Sequence, residues 1–329
     1  MMNGILAADI GGTKTLLQLS TQHGDVVLET EYVSQQFSSF ELILTDFISQ
    51  EQLKEYQVIA ACFAVAGPVS GRDANVTNLP WTLNADDLEN QFLLGTVHLC
   101  NDFEAVAHGI SCLKDEDLFT LQEGEEDKEA PRAIIGAGTG LGQALLLPND
   151  TAWTVVATEG GHADFAPMDR QQTLLLEHLI ERFGHVSYER VVSGVGLVTI
   201  YEFLRAYHQA DENPELRQAM INSDAGAAIS QFALEGNDTL ATQALDMFIQ
   251  IYGAQAGNLA LTVSPKGGVY LAGGIAAKNI ERFKLGGFMA AFKNKGRMET
   301  LMERIPVRIV LQPKVGLLGA RLLAKQFTV

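Results

Sequence analysis

The chain has 329 residues and a net charge of −17, with 23 Lys plus Arg against 40 Asp plus Glu. At roughly 150 residues per domain this is a two-domain length, and 47% apolar residues are enough for large cores, which excludes wholesale disorder. So acidic a chain is a poor partner for nucleic acid, whose affinity comes mostly from Lys and Arg on phosphates, and for an anionic membrane surface. The longest near-apolar stretch, residues 58–69, is shorter than the ~20 residues of a spanning helix. Met1-Met2-Asn3-Gly4-Ile5-Leu6 has no basic region ahead of an apolar one, so no secretory signal is visible. Cys62, Cys100 and Cys112 are odd in number, widely spaced and without a C-x-x-C pair, which argues against a zinc site or a disulfide framework. The expectation is a soluble, reduced, cytoplasmic protein.

In chain order, Ile5-Leu6-Ala7-Ala8-Asp9-Ile10 reads as a buried strand, Gly11-Gly12-Thr13 as a turn and Leu16-Leu17-Gln18-Leu19 as the returning strand of a hairpin. A third strand is expected at Val26–Val33. Phe40, Ile43, Leu44 and Phe47 have helical spacing. Residues 58–65 form an apolar run suited to a central strand covered on both faces. A short strand at residues 97–100 runs into Asn101-Asp102. A helix follows, with Phe103, Val106, Ala107, Ile110 and Leu113 on its apolar face.

Residues 114–129 end in Glu125-Glu126-Asp127-Lys128-Glu129 and read as a solvated connection. A second strand-turn-strand unit follows. Ala133-Ile134-Ile135 leads into Gly136-Ala137-Gly138-Thr139-Gly140-Leu141-Gly142, and residues 143–147 return. The two units echo each other, as a duplicated phosphate-binding domain would. The second half is mostly helical, with stripes through Leu175 and Leu179 and through Leu197, Ile200 and Leu204. A long helix carries Gly253 and Gly257, four apart, where another backbone could approach closely. Late strands are expected at residues 269–271 and 307–311, with a closing helix from Val315.

Several constellations can carry chemistry. In Asp9-Ile10-Gly11-Gly12-Thr13, glycines without Cβ let backbone N–H groups reach a phosphate, the threonine adds a donor, and the aspartate suits hydrated Mg²⁺. A plain hairpin turn fits the pentapeptide as well, and no P-loop occurs. Residues 136–142 alone are a weak signal; a Rossmann turn would open a helix, whereas strand follows here. Gly273-Gly274, after Leu271-Ala272, would lie against an adenine ring or make an ordinary strand-to-helix turn. Asp102 could take a proton from a substrate hydroxyl, yet Asn101 with Glu104 fits a capping box and Asp102 a first-turn acid. Glu159-Gly160-Gly161-His162-Ala163-Asp164 is a polar loop able to bond several hydroxyls, or a metal site lacking a second ligand cluster. His178 and His185 read as satisfied or exposed histidines.

Taken together and in order, these segments resemble a known family. Asp9-Ile10-Gly11-Gly12-Thr13, Ala66-Gly67-Pro68, Thr77-Asn78-Leu79-Pro80-Trp81, Asn101-Asp102-Phe103, residues 136–142, Glu159-Gly160-Gly161-His162, His185-Val186-Ser187-Tyr188-Glu189-Arg190 and Leu271-Ala272-Gly273-Gly274 are similar to motifs of the bacterial ATP-dependent glucokinases, in the actin-like ATPase-domain superfamily. The resemblance runs from about residue 5 to about 322.

The resemblance implies an α/β, two-domain actin-like ATPase (ribonuclease H-like) fold with a central cleft. Residues 1–112 would form a small α/β domain and 113–310 a large one, with 311–329 a C-terminal helix segment completing the small domain. It implies transfer of the ATP γ-phosphoryl group to the 6-hydroxyl of D-glucose, giving glucose 6-phosphate and ADP and feeding glycolysis. Asp102 would be the catalytic base, and Asn101, Asp102, Glu159, His162 and Glu189 would contact the sugar. Gly11, Gly12, Thr13, Gly138 and Thr139 would clamp the phosphates, and Gly273 and Gly274 would meet the adenosine. Asp9 would hold Mg²⁺ through water. ATP and Mg²⁺ are thus expected, no zinc, no nucleic-acid or membrane partner, and a homodimer.

Ser193-Gly194-Val195-Gly196 departs from the family's Ser-Gly-Pro-Gly, which loosens that turn without touching an expected ligand. The zinc-binding cysteine cluster of related repressors and sugar kinases is absent, and no DNA-binding segment is expected, since the first phosphate strand begins at Ile5. Two alternatives remain at this stage: a kinase for mannose, fructose or an amino sugar, and a non-catalytic sugar-sensing regulator on the same fold.

Overall fold

In the computed structural model, which describes residues 1–149 and 153–328, Met1–Lys114 and the residues from Gln312 onward form one unit and Asp115–Leu311 the other. The first unit is built on β1 (Met2–Ile10), β2 (Lys14–Thr21), β3 (Val26–Val33) and β4 (Tyr56–Val65). A small antiparallel sheet of β5 (Val69–Ser70), β6 (Asp73–Asn75) and β7 (Thr82–Asn84) follows, then β8 (Thr96–Asn101). The main sheet has the order β3-β2-β1-β4-β8. β1 is antiparallel to β2 and parallel to β4, and β4 is parallel to β8.

The apolar runs of β1 and β4 are explained by cover on both faces. Side chains alternate along a strand, so Leu6, Ala8, Ile10 and Phe63 join the core under the helix Phe40–Ile48. Ile5, Ala7, Cys62 and Ala64 instead meet Leu317 and Ala320 of the helix Val315–Gln326. Register sets Ile10 beside Val65 and Val65 beside Asn101, so Asp9 and Asn101 emerge at one edge of the sheet.

The helix Asp102–Ile110 buries Ala107 and Ile110 of the expected apolar face, but its buried side is shifted toward its small residues. Ala105, Ala107, Gly109 and Ile110 are buried, Phe103 and Val106 are partly exposed, and Leu113 lies beyond the helix. The reason is the approach of the C-terminal helix. A Cβ on Gly319 would stand 1.7 Å from the Ala105 carbonyl oxygen, and one on Gly109 would stand 2.0 Å from that of Val315.

The second unit contains β9 (Leu118–Gln122), β10 (Arg132–Ala137), β11 (Leu141–Pro148), β12 (Trp153–Thr158), β13 (Val269–Ala272) and β14 (Val307–Val310), in the order β12-β11-β10-β13-β14-β9. Its first five positions repeat the first sheet: an antiparallel meander (β12, β11, β10), then two parallel strands. β9 corrects the reading of residues 114–129 as a solvated connection. It pairs antiparallel with β14, and Phe119 and Leu121 pack on the core. Beside the sheet lies the long helix Thr239–Val263, against which the helix Gly287–Lys293 packs. Gly253 and Gly257 permit that approach: Cβ atoms there would be 2.2 Å from the Phe288 carbonyl oxygen and 2.6 Å from that of Phe292. Among the described residues, no helix is long and apolar enough to cross a membrane.

Candidate active site

In the first unit, the β1–β2 turn is held by Gly11 N–H donating to the Lys14 carbonyl and Ser34 N–H donating to that of Thr13. Gly12 lies against a second loop, because a Cβ there would meet the Thr77 carbonyl oxygen at 3.2 Å. Thr77 N–H in turn donates to Ala66. Asn101, at the end of β8, donates from Nδ2 to the Gly67 carbonyl at 3.1 Å and caps the helix Asp102–Ile110. The Phe103 N–H donates to both Asn101 Oδ1 and Asp102 Oδ1, each at 2.9 Å. Capping and a carboxylate at the sheet edge therefore coexist. The cap is closed through Phe103, one residue short of the Glu104 position in a capping box.

Asp9 is the electrostatic anomaly of this edge. Burial first, then the negative charge of Asp102, push its pKa up from 3.8 to about 6, against a smaller pull from Lys14. Among the described residues its carboxylate accepts no hydrogen bond. A charge left without donors beside a second carboxylate suits a hydrated divalent cation. Among the described residues no three or more His, Cys, Asp or Glu are placed so as to hold a metal ion, so such a cation would take most of its ligands from water and phosphate oxygens. Cys62 and Cys100 are buried thiols with sulfurs 3.6 Å apart, and that contact, then burial, raises the Cys100 pKa.

In the second unit, Glu159 opens the short 3-10 helix Gly160–His162, and Glu189 lies on another, Tyr188–Arg190. Backbone bonds join the two segments: Tyr188 N–H to the Ala163 carbonyl and Phe165 N–H to that of Val186, both 2.9 Å. Both meet β11 at its first residue. A Cβ on Gly161 would stand 2.0 Å from the Leu141 carbonyl oxygen, while Leu141 N–H donates to Glu189 Oε2 at 2.9 Å. The segments that carry Glu159, His162 and Glu189 thus meet at Leu141. Glu159 and His162 have largely exposed side chains, 3.8 Å apart. Asp164 and His185 pair at 2.7 Å on the surface, outside this group.

The β10–β11 turn, Gly138-Thr139-Gly140, is closed by Gly138 N–H on the Gly140 carbonyl and tied by Gly194 N–H to the Gly138 carbonyl. Its Gly138 and Thr139 line a pocket of about 360 Å³ together with Gly274, and Val195, Val198 and Ile275 supply apolar surface. That volume is in the small-molecule range, and the lining suits a flat apolar ring next to an anion. Gly273 has φ +82°, and a Cβ there would be 2.5 Å from the Ala137 carbonyl oxygen, so this strand end requires glycine. The pocket also contains residues the sequence reading did not single out: Asp224, Ser230, Lys278 and Asn279. Asp224 caps the helix Ala225–Glu235, and buried Asn279 accepts from Ser230 Oγ at 2.6 Å. Of these, only Asp224 carries a sequence signal, as the cap of a helix start; Ser230 lies mid-helix and Lys278 ends the helix Gly274–Lys278.

Two sheets of one strand order, each carrying a glycine hairpin, define the class: a mixed α/β protein of the actin-like fold. The family model for glucokinase matches residues 6–327. A glucokinase of Trichormus variabilis is 44% identical over 342 residues, covering 98% of this chain and 99% of the relative, and one of Synechocystis is 43% identical at 98% of each. Among solved structures, a glucokinase from an Antarctic psychrotroph superposes with TM-score 0.84 at 28% identity, covering 99% of this chain and 100% of the other. A Balamuthia mandrillaris glucokinase, solved with glucose, superposes with TM-score 0.81 at 25% identity, covering 98% and 94%. The chain belongs to the glucokinase family.

Proposed function

We propose that this chain is an ATP-dependent glucokinase, EC 2.7.1.2, moving the ATP γ-phosphoryl group to the 6-hydroxyl of D-glucose. The observation that carries the reading is the joining of the Glu159–His162 and Glu189 segments at Leu141, the residue next to the Gly138-Thr139-Gly140 turn, in a chain of this family. Glucose is uncharged, so its recognition rests on hydrogen bonds. Carboxylates of Glu159 and Glu189 accept from hydroxyls, and Asn101 and His162 donate as well as accept. A site built around hydroxyls leaves polar groups unpaired when one is missing, which makes discrimination steep.

Asp102 is the base for the 6-hydroxyl proton. Its place in the first turn of a helix whose cap is closed by Asn101 fixes the carboxylate at the sheet edge. Gly11, Gly12 and Thr13 in one unit, and Gly138 and Thr139 in the other, offer N–H and hydroxyl donors to phosphate oxygens. Gly273 and Gly274 face the adenosine. Asp9 would hold Mg²⁺ through water, and the ion would neutralise phosphate charge during transfer. The enzyme works in the cytoplasm as a homodimer, as the family resemblance implies.

A panel of hexoses with ATP and a coupled ADP assay tests this reading. Glucose should give the highest kcat/KM. A mannose, fructose or amino-sugar preference would reassign the substrate, and sugar binding without ADP release would mark a sensor.

A further inference from the structure

The β10–β11 turn carries Gly138 and Gly140, two glycines of the kind a phosphate cradle uses. Neither has a left-handed φ, so the turn conformation itself demands glycine at neither. They differ in what a Cβ would meet. At Gly138 nothing lies within 4 Å. At Gly140 a Cβ would stand 2.5 Å from Glu189 Oε2 and 3.3 Å from its carboxyl carbon.

The carboxylate is there because its Oε2 accepts from Leu141 N–H at 2.9 Å. The segment that carries it has little room to move. Ser193 Oγ donates to the Glu189 carbonyl at 2.8 Å, and Tyr188 N–H donates to Ala163 at 2.9 Å. The Tyr188 hydroxyl accepts from Asn258 Nδ2 at 2.9 Å, and Asn258 Oδ1 accepts from Lys295 Nζ at 2.7 Å. A methyl group on Gly140 would therefore displace the Glu189 carboxylate itself rather than shift the whole segment.

We infer that Gly140 serves the sugar and Gly138 the phosphate. The bare Cα of Gly140 lets Glu189 rest on Leu141 N–H, which holds one carboxylate oxygen and aims the other. Gly140 is thus a positioning residue for sugar recognition, set inside a turn that otherwise reads as phosphate-binding. This inference rests on Glu189 being a sugar contact, as proposed above.

The test is calorimetric binding of glucose to nucleotide-free protein and of MgADP to glucose-free protein, with melting temperatures alongside. Gly140→Ala should weaken glucose about tenfold or more, the scale of a lost charge-assisted hydrogen bond, and change MgADP by no more than about twofold. Gly138→Ala should do the reverse, because its methyl group enters open space that a phosphate would occupy. The double variant Gly140→Ala/Glu189→Asp, whose carboxylate is one methylene shorter, should recover part of the glucose affinity lost in Gly140→Ala. That rescue reads positioning even if Gly140→Ala melts early. Unchanged glucose binding in Gly140→Ala, or equal losses of both ligands without rescue, overturns the inference. Glu189→Gln separates the two layers: unchanged glucose binding in that variant withdraws Glu189 as a sugar contact, and the inference with it. Weakened glucose binding there, beside an indifferent Gly140→Ala, removes Gly140 alone.

Discussion

Asp9 Oδ2 lies 3.1 Å from the point where a Cβ on Gly316 would stand, so the second residue of the C-terminal helix is a wall of the Asp9 site. Gly316→Ala would press on a carboxylate that no hydrogen bond among the described residues holds in place. Asp9 would give way by a few tenths of an ångström. The expected outcome is an apparent Mg²⁺ affinity weakened about tenfold, as for loss of support around a metal ligand, with glucose affinity retained. Titration of activity against Mg²⁺ at saturating ATP checks this, and a superimposable titration would show that Asp9 does not depend on Gly316.

The raised pKa of Asp9 makes a prediction for the metal-free protein. The folded group titrates at about 6 and its ordinary value is 3.8. Below 3.8 both folded and unfolded chains hold the proton, and Asp9 leaves stability unchanged. Between 3.8 and 6 the folded chain binds a proton the unfolded chain has lost, so stability falls as pH rises, and it levels off above 6. At 1.36 kcal/mol per pKa unit, the loss reaches at most about 3 kcal/mol. Asp9→Asn should therefore be more stable than the parent at pH 7.5 in a chelator, and equal to it near pH 3.5. Urea midpoints across that range decide it; a constant difference would place the shift elsewhere.

Asp102→Asn should lower kcat by roughly 10²-fold or more while the melting temperature holds. The fold survives because Asn101 Oδ1 still accepts from Phe103 N–H at the helix cap, and the amide oxygen of the substituted side chain can replace Asp102 Oδ1 as the second acceptor. Near-normal turnover of the purified variant would remove Asp102 from proton transfer.

Tyr252, wholly buried in the long helix, places its hydroxyl between two strand groups of β10. It donates to the Ile135 carbonyl at 3.1 Å and accepts from Ala137 N–H at 3.3 Å. Burial pushes its pKa well up, so it stays a neutral donor. Tyr252→Phe should cost about 1–2 kcal/mol, the scale of a buried polar group left unsatisfied. It should also raise KM for ATP, since Ala137 leads directly into the Gly138 turn. Denaturation and nucleotide kinetics on one preparation test both halves; lost stability with an unmoved KM would confine Tyr252 to packing.

Much of this architecture was readable because its signals are local. Apolar runs on β1 and β4, the glycine turns after Ile10 and Ala137, and the stripe from Leu197 to Leu204 each lie within one element. The pieces that escaped depend on distant partners. β9 is a partly buried edge strand whose ladder is completed by β14, beginning at Val307. β12 and the three-stranded sheet of β5, β6 and β7 are short or half-exposed, so their patterns are weak. At the site, residue types alone marked Asp102 and the polar loop from Glu159 to Asp164, whereas Glu189 entered only through the family resemblance. Periodicity could not reveal that Leu141 would join two of these segments, because the contact runs through backbone atoms that every residue has.

The helix pair that carries Asp102 offers the sharpest case of such backbone-level fit. An added methyl on Gly319 would stand 1.7 Å from the Ala105 carbonyl oxygen and 2.7 Å from the Gly109 nitrogen. These are main-chain atoms, so no side chain can rotate away, and the helices must separate. Gly319→Ala should cost at least about 2–3 kcal/mol, at the upper end for overpacking a core. Because the helix Asp102–Ile110 is the element displaced, kcat should fall together with stability, even at temperatures where the variant is folded. Ala105→Gly added to Gly319→Ala should restore neither, since it removes a methyl group and leaves the carbonyl in place. Urea midpoints and kcat for the two variants check the argument, and recovery in the double variant would show that side chains, not backbones, set the spacing of these helices.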